Sequence, residues 1–301
     1  MAMVVAPTRI ALQNILVATD FSDCAQTALN YGLGLARHYG GTLFTVNVLP
    51  HMPFVESAQP DPGKARGFAE QKLANMVASE PFKAIKHREF VQEGEVGEVL
   101  SGLVWENHID LIVLGTEGRT GMRKFLLGSV AEEIFRSAEC PVLTLGPHIC
   151  KLDSSLRHIL YATDFGPESI HGLPYALSLA EEHRARLTLL HVVTDTGVVL
   201  PEPEPGAMPA VDPYEAVATG EKQLRALIPA ERGVWQEPEY LVQFGPAAET
   251  ILRIAGEQTD MIVLGVKRPA ALTKHLGGGV AYRIICEAPC PVLSVGAGQH
   301  R

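Results

Sequence analysis

The sequence has little positive charge to spare: 25 Lys and Arg stand against 34 Asp and Glu in 301 residues, a formal net charge of −9. That balance excludes a nucleic-acid backbone or an anionic membrane surface as the main partner. Aromatic residues are scarce at 6%, which excludes a stacking platform for single strands. The longest apolar runs, such as Leu111-Ile112-Val113-Leu114, are a handful of residues where about 20 are needed to span a bilayer. No basic region precedes the apolar start, whose first Arg is Arg9, so no secretory signal is predicted. The five cysteines (Cys24, Cys140, Cys150, Cys286 and Cys290) form no CxxC pair and no Cys/His cluster of zinc-finger spacing. Such thiols suit a reducing compartment, and the expectation is a cytoplasmic protein without a resident metal. A Walker A loop, with its Gly-Lys-Ser/Thr ending, is also missing. What is present is ordinary for a soluble globular protein: 47% hydrophobic and 20% charged residues, in a length that suits two domains.

Those two domains are written twice over in the residues. NILVATDF at 14–21 returns as HILYATDF at 158–165, with Asp20 and Asp164 standing 144 residues apart. DLIVLG at 110–115 returns as DMIVLG at 260–265, and CPVL at 140–143 as CPVL at 290–293, both after 150 residues. The order is kept and the offset grows by six, which predicts an insertion in the second copy. Residues 194–213, with five prolines and several acids, are its expected place. The chain therefore divides into domains 1–148 and 149–301, with the junction near 146–156.

Each copy alternates two periods. Ile15 to Ala18 is a short apolar run, as in a strand buried on both faces. Ala25, Ala28, Leu29, Gly32, Leu33 and Ala36 then follow the spacing of a helical stripe, with Ser22 as N-cap and Gly40-Gly41 as stop. In the second copy Leu173, Ala176, Leu177 and Ala180 repeat the stripe, with Pro167 as a first helical residue. Strands are predicted over 42–49, 85–92, 111–115 and 141–145, and helices over 64–79, 96–107 and 129–137. Such alternation implies right-handed crossovers. The fold class is α/β: two tandem Rossmann-like domains, each a mostly parallel five-stranded sheet flanked by helices.

In open parallel sheets, ligands bind beyond the carboxyl ends of the strands, where strand order reverses. Asp20 closes the first strand and Gly115 the fourth. After Gly115 comes TEGRTGMRKFLLGS at 116–129, opening into the next helix. Gly115 and Gly118 allow close approach of a bulky ligand and φ > 0. Gly128-Ser129 puts unpaired amides and a hydroxyl at a helix N-terminus, where the dipole favours anions. Arg119, Arg123 and Lys124 add positive charge nearby. The same glycines serve equally as a turn, and Ser129 equally as a helix cap. Asp20 likewise fits two roles, ligand contact and cap of the following helix.

The pattern resembles the universal stress protein family, in both halves and nearly end to end. Its most specific element is that family's ATP-binding signature (Gly, two residues, Gly, nine residues, Gly-Ser/Thr), met here by Gly115, Gly118, Gly128 and Ser129. Ala-Thr-Asp-Phe-Ser at 18–22 resembles the family's opening motif, and Cys-Pro-Val-Leu at 140–143 its final strand. The resemblance implies that Asp20, beside Thr19, and the backbone near Val48 hold the adenine side. Ala18, Leu114 and Gly115 would border the ribose. Gly118, Gly128, Ser129 and Val130, with Arg119 nearby, would hold phosphates, with or without Mg²⁺. It also implies pairing of the two terminal strands, making an internal pseudo-dimer; larger homo-oligomers are left open.

The second copy departs from the signature. Gly265 and Gly278 match Gly115 and Gly128, but Arg268 stands for Gly118 and Gly279 for Ser129. Asp164 and Val192 are kept, so an adenine pocket survives in outline while the phosphate cradle does not. Three functions follow. The first is a stress-response regulatory protein binding ATP mainly in its first half. The second is a slow ATPase or autophosphorylating enzyme, for which no Walker B strand, HRD-like loop or His-paired nucleophile is found. The third is a protein-interaction module in which nucleotide is only structural.

Overall fold

The computed structural model describes residues 10, 12–49, 62–116, 127–147, 149, 155–194, 213–229, 234–256, 258–267 and 279–296. The first half runs β1 (Asn14–Ala18), α1 (Asp23–Tyr39), β2 (Thr42–Leu49), α2 (Pro62–Val77), α3 (Glu80–Lys83), β3 (Lys86–Glu93), α4 (Val96–Glu106), β4 (Leu111–Gly115), α5 (Ser129–Ser137) and β5 (Val142–Leu145). The second repeats the plan with β6 (His158–Ala162), α6 (Pro167–Ile170), α7 (Leu173–His183), β7 (Arg186–Val193), α8 (Pro213–Ala226), β8 (Glu239–Phe244), α9 (Ala247–Ala255), β9 (Met261–Val266), α10 (Val280–Glu287) and β10 (Val292–Gly296). Most of 194–213, the expected place of the insertion, lies outside the described residues.

Among the described residues the strands form one sheet in the order β3-β2-β1-β4-β5-β10-β9-β6-β7-β8. Within each half all pairings are parallel. The halves meet where β5 and β10 pair antiparallel, with Leu143 opposite Leu293. Thr144 adds a bond from its hydroxyl to the Val292 carbonyl at 3.2 Å. Each copy's apolar last strand thus covers the other's edge, which alone would invite aggregation.

The central strands are buried on both faces, as their unbroken apolar runs require. Ile15, Val17, Leu43 and Val113 pack against α1, while Leu16, Phe44, Val46 and Ile112 pack against α4 and α5. Helix α1 forms where its ends are satisfied. Ser22 accepts the Ala25 amide at 3.2 Å, and Gly40 ends the helix in the left-handed region at φ 63°. Asp23 in the first turn and Arg37 and His38 in the last complement the helix dipole.

The repeated aspartate that opens DLIVLG and DMIVLG clamps the sheet from its amino end. Asp110 Oδ2 accepts the amides of Gln13 (2.9 Å) and Asn14 (2.8 Å). Asp260 Oδ2 accepts those of Arg157 and His158, both at 2.9 Å. Burial pushes the Asp110 carboxyl above its ordinary range, although the two amides pull the other way.

The second copy breaks the predicted single helix after Pro167 into α6 and α7. The cause is Tyr161, which stands where the first copy has Val17. Its buried ring reaches under the helix, a Cβ on Gly172 would meet it at 3.2 Å, and its hydroxyl donates to the Ser169 carbonyl at 2.9 Å. That carbonyl also accepts the Gly172 amide at 3.2 Å in a tighter i to i+3 turn, and the chain turns at Gly172 before α7 begins.

The carboxyl ends of α1 and α7 also touch across the halves. The His38 and His183 rings stack at 4.5 Å, and Tyr39 meets His183 edge-on at 6.5 Å. Glu182 Oε1 lies 3.6 Å from His38 Nε2. Burial and then the neighbouring His38 hold the His183 imidazole down at about 4. A histidine held below its unfolded value stabilises the fold fully above pH ~6.5 and loses that contribution as pH falls toward 4. Because the ring is half-buried, the expected loss is only ~1–2 kcal/mol. Urea unfolding at pH 7 and 4.5 should show it, and His183→Gln should remove that part of the pH dependence; an unchanged slope in the variant would contradict it.

Candidate functional site

Strand order reverses between β1 and β4, whose neighbours β2 and β5 lie on opposite sides. The crevice beyond their carboxyl ends is the place where this architecture takes ligands. Ala18, Thr19 and Asp20 leave β1 there, Leu114 and Gly115 end β4, and Val48 lies near the end of β2.

The turn after β1 is held by its own side chains. Thr19 Oγ1 accepts the Phe21 amide at 3.0 Å, and Asp20 Oδ1 accepts the Ser22 amide at 2.9 Å. This forces Phe21 into the left-handed region at φ 64°, a conformation that costs a non-glycine residue free energy. The second copy reproduces it: Thr163 takes the Phe165 amide, Asp164 that of Gly166, and Phe165 sits at φ 62°. Of the two roles Asp20 offers, capping α1 falls to Ser22 instead; Asp20 shapes the turn that delivers that cap. For Asp164, burial raises the carboxyl, but the bonds from Ser169 and Gly166 prevail and leave it below its ordinary range.

Asn47 belongs to this corner, and periodicity did not single it out. Its Nδ2 donates to the Thr19 carbonyl at 2.7 Å. In the second copy His191 takes the place, donating from Nδ1 to the Thr163 carbonyl at 2.9 Å. The offset of 144 that aligns Asp20 with Asp164 also aligns these two; only their unlike chemistry hid the pair. Asn47 Oδ1 and, just past the end of β4, Thr116 Oγ1 are buried without a hydrogen-bond partner among the described residues. Such atoms are costly to leave unpaired and mark this corner as suited to a polar ligand.

At Gly115 the structure corrects the expectation of a positive φ and shows what the missing side chain makes room for. Gly115 is absent from the left-handed region among the described residues. A Cβ there would lie 2.9 Å from backbone atoms of Cys24, so α1 is what crosses it. Gly265 repeats the feature more tightly, with Glu168 and Ser169 backbone atoms at 2.2–2.5 Å. The glycine at or next to the end of the fourth strand of each copy is therefore required by helix packing.

The helix end needs a second correction. Gly128, not Ser129, is the N-cap of α5, and its amide is already donated to the Thr116 carbonyl at 2.8 Å. The first intrahelical bond runs from the Glu132 amide to the Gly128 carbonyl. The amides of Ser129, Val130 and Ala131 precede it and have no acceptor within the helix. Val130 is exposed beside them. Gly118 and Arg119, like Arg123 and Lys124, lie outside the described residues. In the second copy Gly279 caps α10 with open space where a side chain would stand; Arg268 lies outside the described residues. Among the described residues no group of three or more His, Cys, Asp or Glu side chains is placed to hold a metal. None of their helices is long and apolar enough to cross a membrane.

The family model described as the universal stress protein family matches residues 11–145 and again 155–296. A universal stress protein of Methanocaldococcus jannaschii is 29% identical over 143 residues, 44% of this chain and 81% of that one. A putative universal stress protein of Staphylococcus aureus is 32% identical over 141 residues, 45% of this chain and 85% of that one. The crystal structure of a universal stress protein from Archaeoglobus fulgidus, 20% identical, aligns with a TM-score of 0.70 over 95% of this chain and 98% of that chain, and shows the same fold. With the doubled α/β unit, the reversal between β1 and β4 and a family match over each copy in turn, the chain belongs to the universal stress protein family as a tandem two-domain member.

Proposed function

We propose that this protein binds ATP in its first half and serves as a cytoplasmic regulatory protein of the stress response. The observation that carries the reading is the start of α5. Thr116 ties Gly128 to the end of β4, so the amides of Ser129, Val130 and Ala131 begin a helix at the switch point. Donors without internal acceptors, at the positive end of a helix, suit the phosphates. On this reading Asp20, Thr19 and the backbone near Val48 take the adenine side, with Ala18, Leu114 and Gly115 beside the ribose. Gly118, Arg119, Gly128, Ser129 and Val130 take the phosphates, and any Mg²⁺ arrives on them. The Asn47 and Thr116 oxygens, buried without a hydrogen-bond partner among the described residues, support a polar occupant.

The spacing of the five cysteines, with no CxxC pair in the sequence, supports a reducing compartment. The β5–β10 pairing supports reading the halves, divided at 148/149, as an intramolecular pseudo-dimer in solution. Co-purified nucleotide, identified by mass spectrometry, tests the ligand directly. For one residue the expectation is sharper. Ser129→Ala removes a hydroxyl from the first helical residue, and loss of one bond to a charged group costs about 1.5–3 kcal/mol. ATP affinity should fall about tenfold or more, while adenosine binding stays as it was. Equal losses for both ligands would show that Ser129 acts through the fold.

A further inference from the structure

The second half reaches into the first at the start of α5. Tyr282, in the first turn of α10, accepts the Leu127 amide on its hydroxyl oxygen at 3.2 Å. Leu127 is buried, immediately precedes the Gly128 cap of α5, and lies 155 residues away in sequence. Two successive amides at the exit of the 116–129 segment are therefore anchored from opposite sides. Gly128 is tied to the end of its own β4, and Leu127 to the other half of the chain. The next three amides are those left without helical acceptors.

From this geometry we infer that Tyr282 is a positioning residue for the first half's anion site, fixing the direction in which the Ser129–Val130–Ala131 amides point. The inference rests on the ATP reading above and adds what couples the degenerate half to the intact one. At the offset of 150, Tyr282 corresponds to Glu132, so the first half presents a carboxylate where the second presents a phenol. The half that lost Gly118 and Ser129 to Arg268 and Gly279 is thus the half that supplies the brace. Burial, and then Cys286 and Glu132 nearby, raise the Tyr282 phenol above its usual value against the pull of the Leu127 amide. It stays neutral at physiological pH and brings no negative charge toward the phosphates.

The test compares the full-length wild-type chain with Tyr282→Phe, which keeps the ring and removes the acceptor. Calorimetric titrations with ATP and with adenosine, thermal unfolding without nucleotide, and hydrogen exchange at the Leu127 amide are read for both. The expected result is an ATP affinity lower by about three- to tenfold, the size of one neutral hydrogen bond. Adenosine affinity and the melting temperature should be unchanged, and Leu127 exchange faster. A variant that binds ATP as the wild type does overturns the role of Tyr282 alone. Equal losses for ATP and adenosine with a lowered melting temperature also overturn it, because Tyr282 would then only hold the fold. A wild-type chain that takes up no ATP overturns the underlying reading and this one with it, and shows so before the variant is compared.

Discussion

Gly265→Ala is expected to destabilise the protein by about 3 kcal/mol, at the upper end of what one added methyl costs in a packed site. The new Cβ would stand 2.2 Å from the Glu168 carbonyl oxygen, 2.3 Å from that of Ser169 and 2.5 Å from Ser169 Cα. All three are backbone atoms, so no side chain can swing aside. Helix α6 cannot retreat cheaply either. Tyr161 donates to the Ser169 carbonyl, and the Ser169 hydroxyl bonds Thr163 Oγ1 at 2.8 Å and the Gly166 carbonyl at 2.9 Å. Gly115→Ala meets Cys24 at 2.9 Å and should cost clearly less. Urea unfolding of the two variants checks both the size and the order. A neutral Gly265→Ala would mean that α6 moves freely and that the close approach is not what the glycine is for.

The largest expected effect on binding comes from Gly118→Arg, which places in the first half the residue that the second copy carries at 268. A bulky side chain cannot take φ > 0 cheaply, and it blocks close approach of backbone to phosphate. ATP affinity should fall by about a hundredfold or more, roughly 2.7 kcal/mol, with the melting temperature of the free protein little changed. Asp164→Ala, in the second half, should leave ATP binding as it was. A guanidinium can itself hold phosphate, so a Gly118→Arg chain that binds ATP as tightly as the wild type would show that the glycine signature has been overvalued.

Much of this was legible in the residues because the same unit is written twice. The Ser22 cap, the Gly40 stop and the stripe from Ala25 to Ala36 are local signals, and the structure has each in place. The strand ends that frame the crevice followed from short apolar runs closing on Asp20 and Gly115. What was not legible depends on partners distant in sequence. Gly115 stood out, but the backbone of Cys24 that requires it arrives from another element. Asp110 was visible as a repeat, yet its clamp on Gln13 and Asn14 spans nearly a hundred residues. Tyr161 reads as one more buried strand residue until its hydroxyl is seen donating to a helix carbonyl. Helix α3, only four residues long, is too short to show a period. Tyr282 reads as a helix aromatic, and nothing near it in sequence announces Leu127.

Titrating the intact chain with ATP by calorimetry tests the central claim most directly. One ATP per chain should bind tightly, in the first half, and the same titration of Gly118→Arg should lose that event. Two equivalent tight sites, no uptake by the wild type, or tight binding that survives Gly118→Arg would each contradict it.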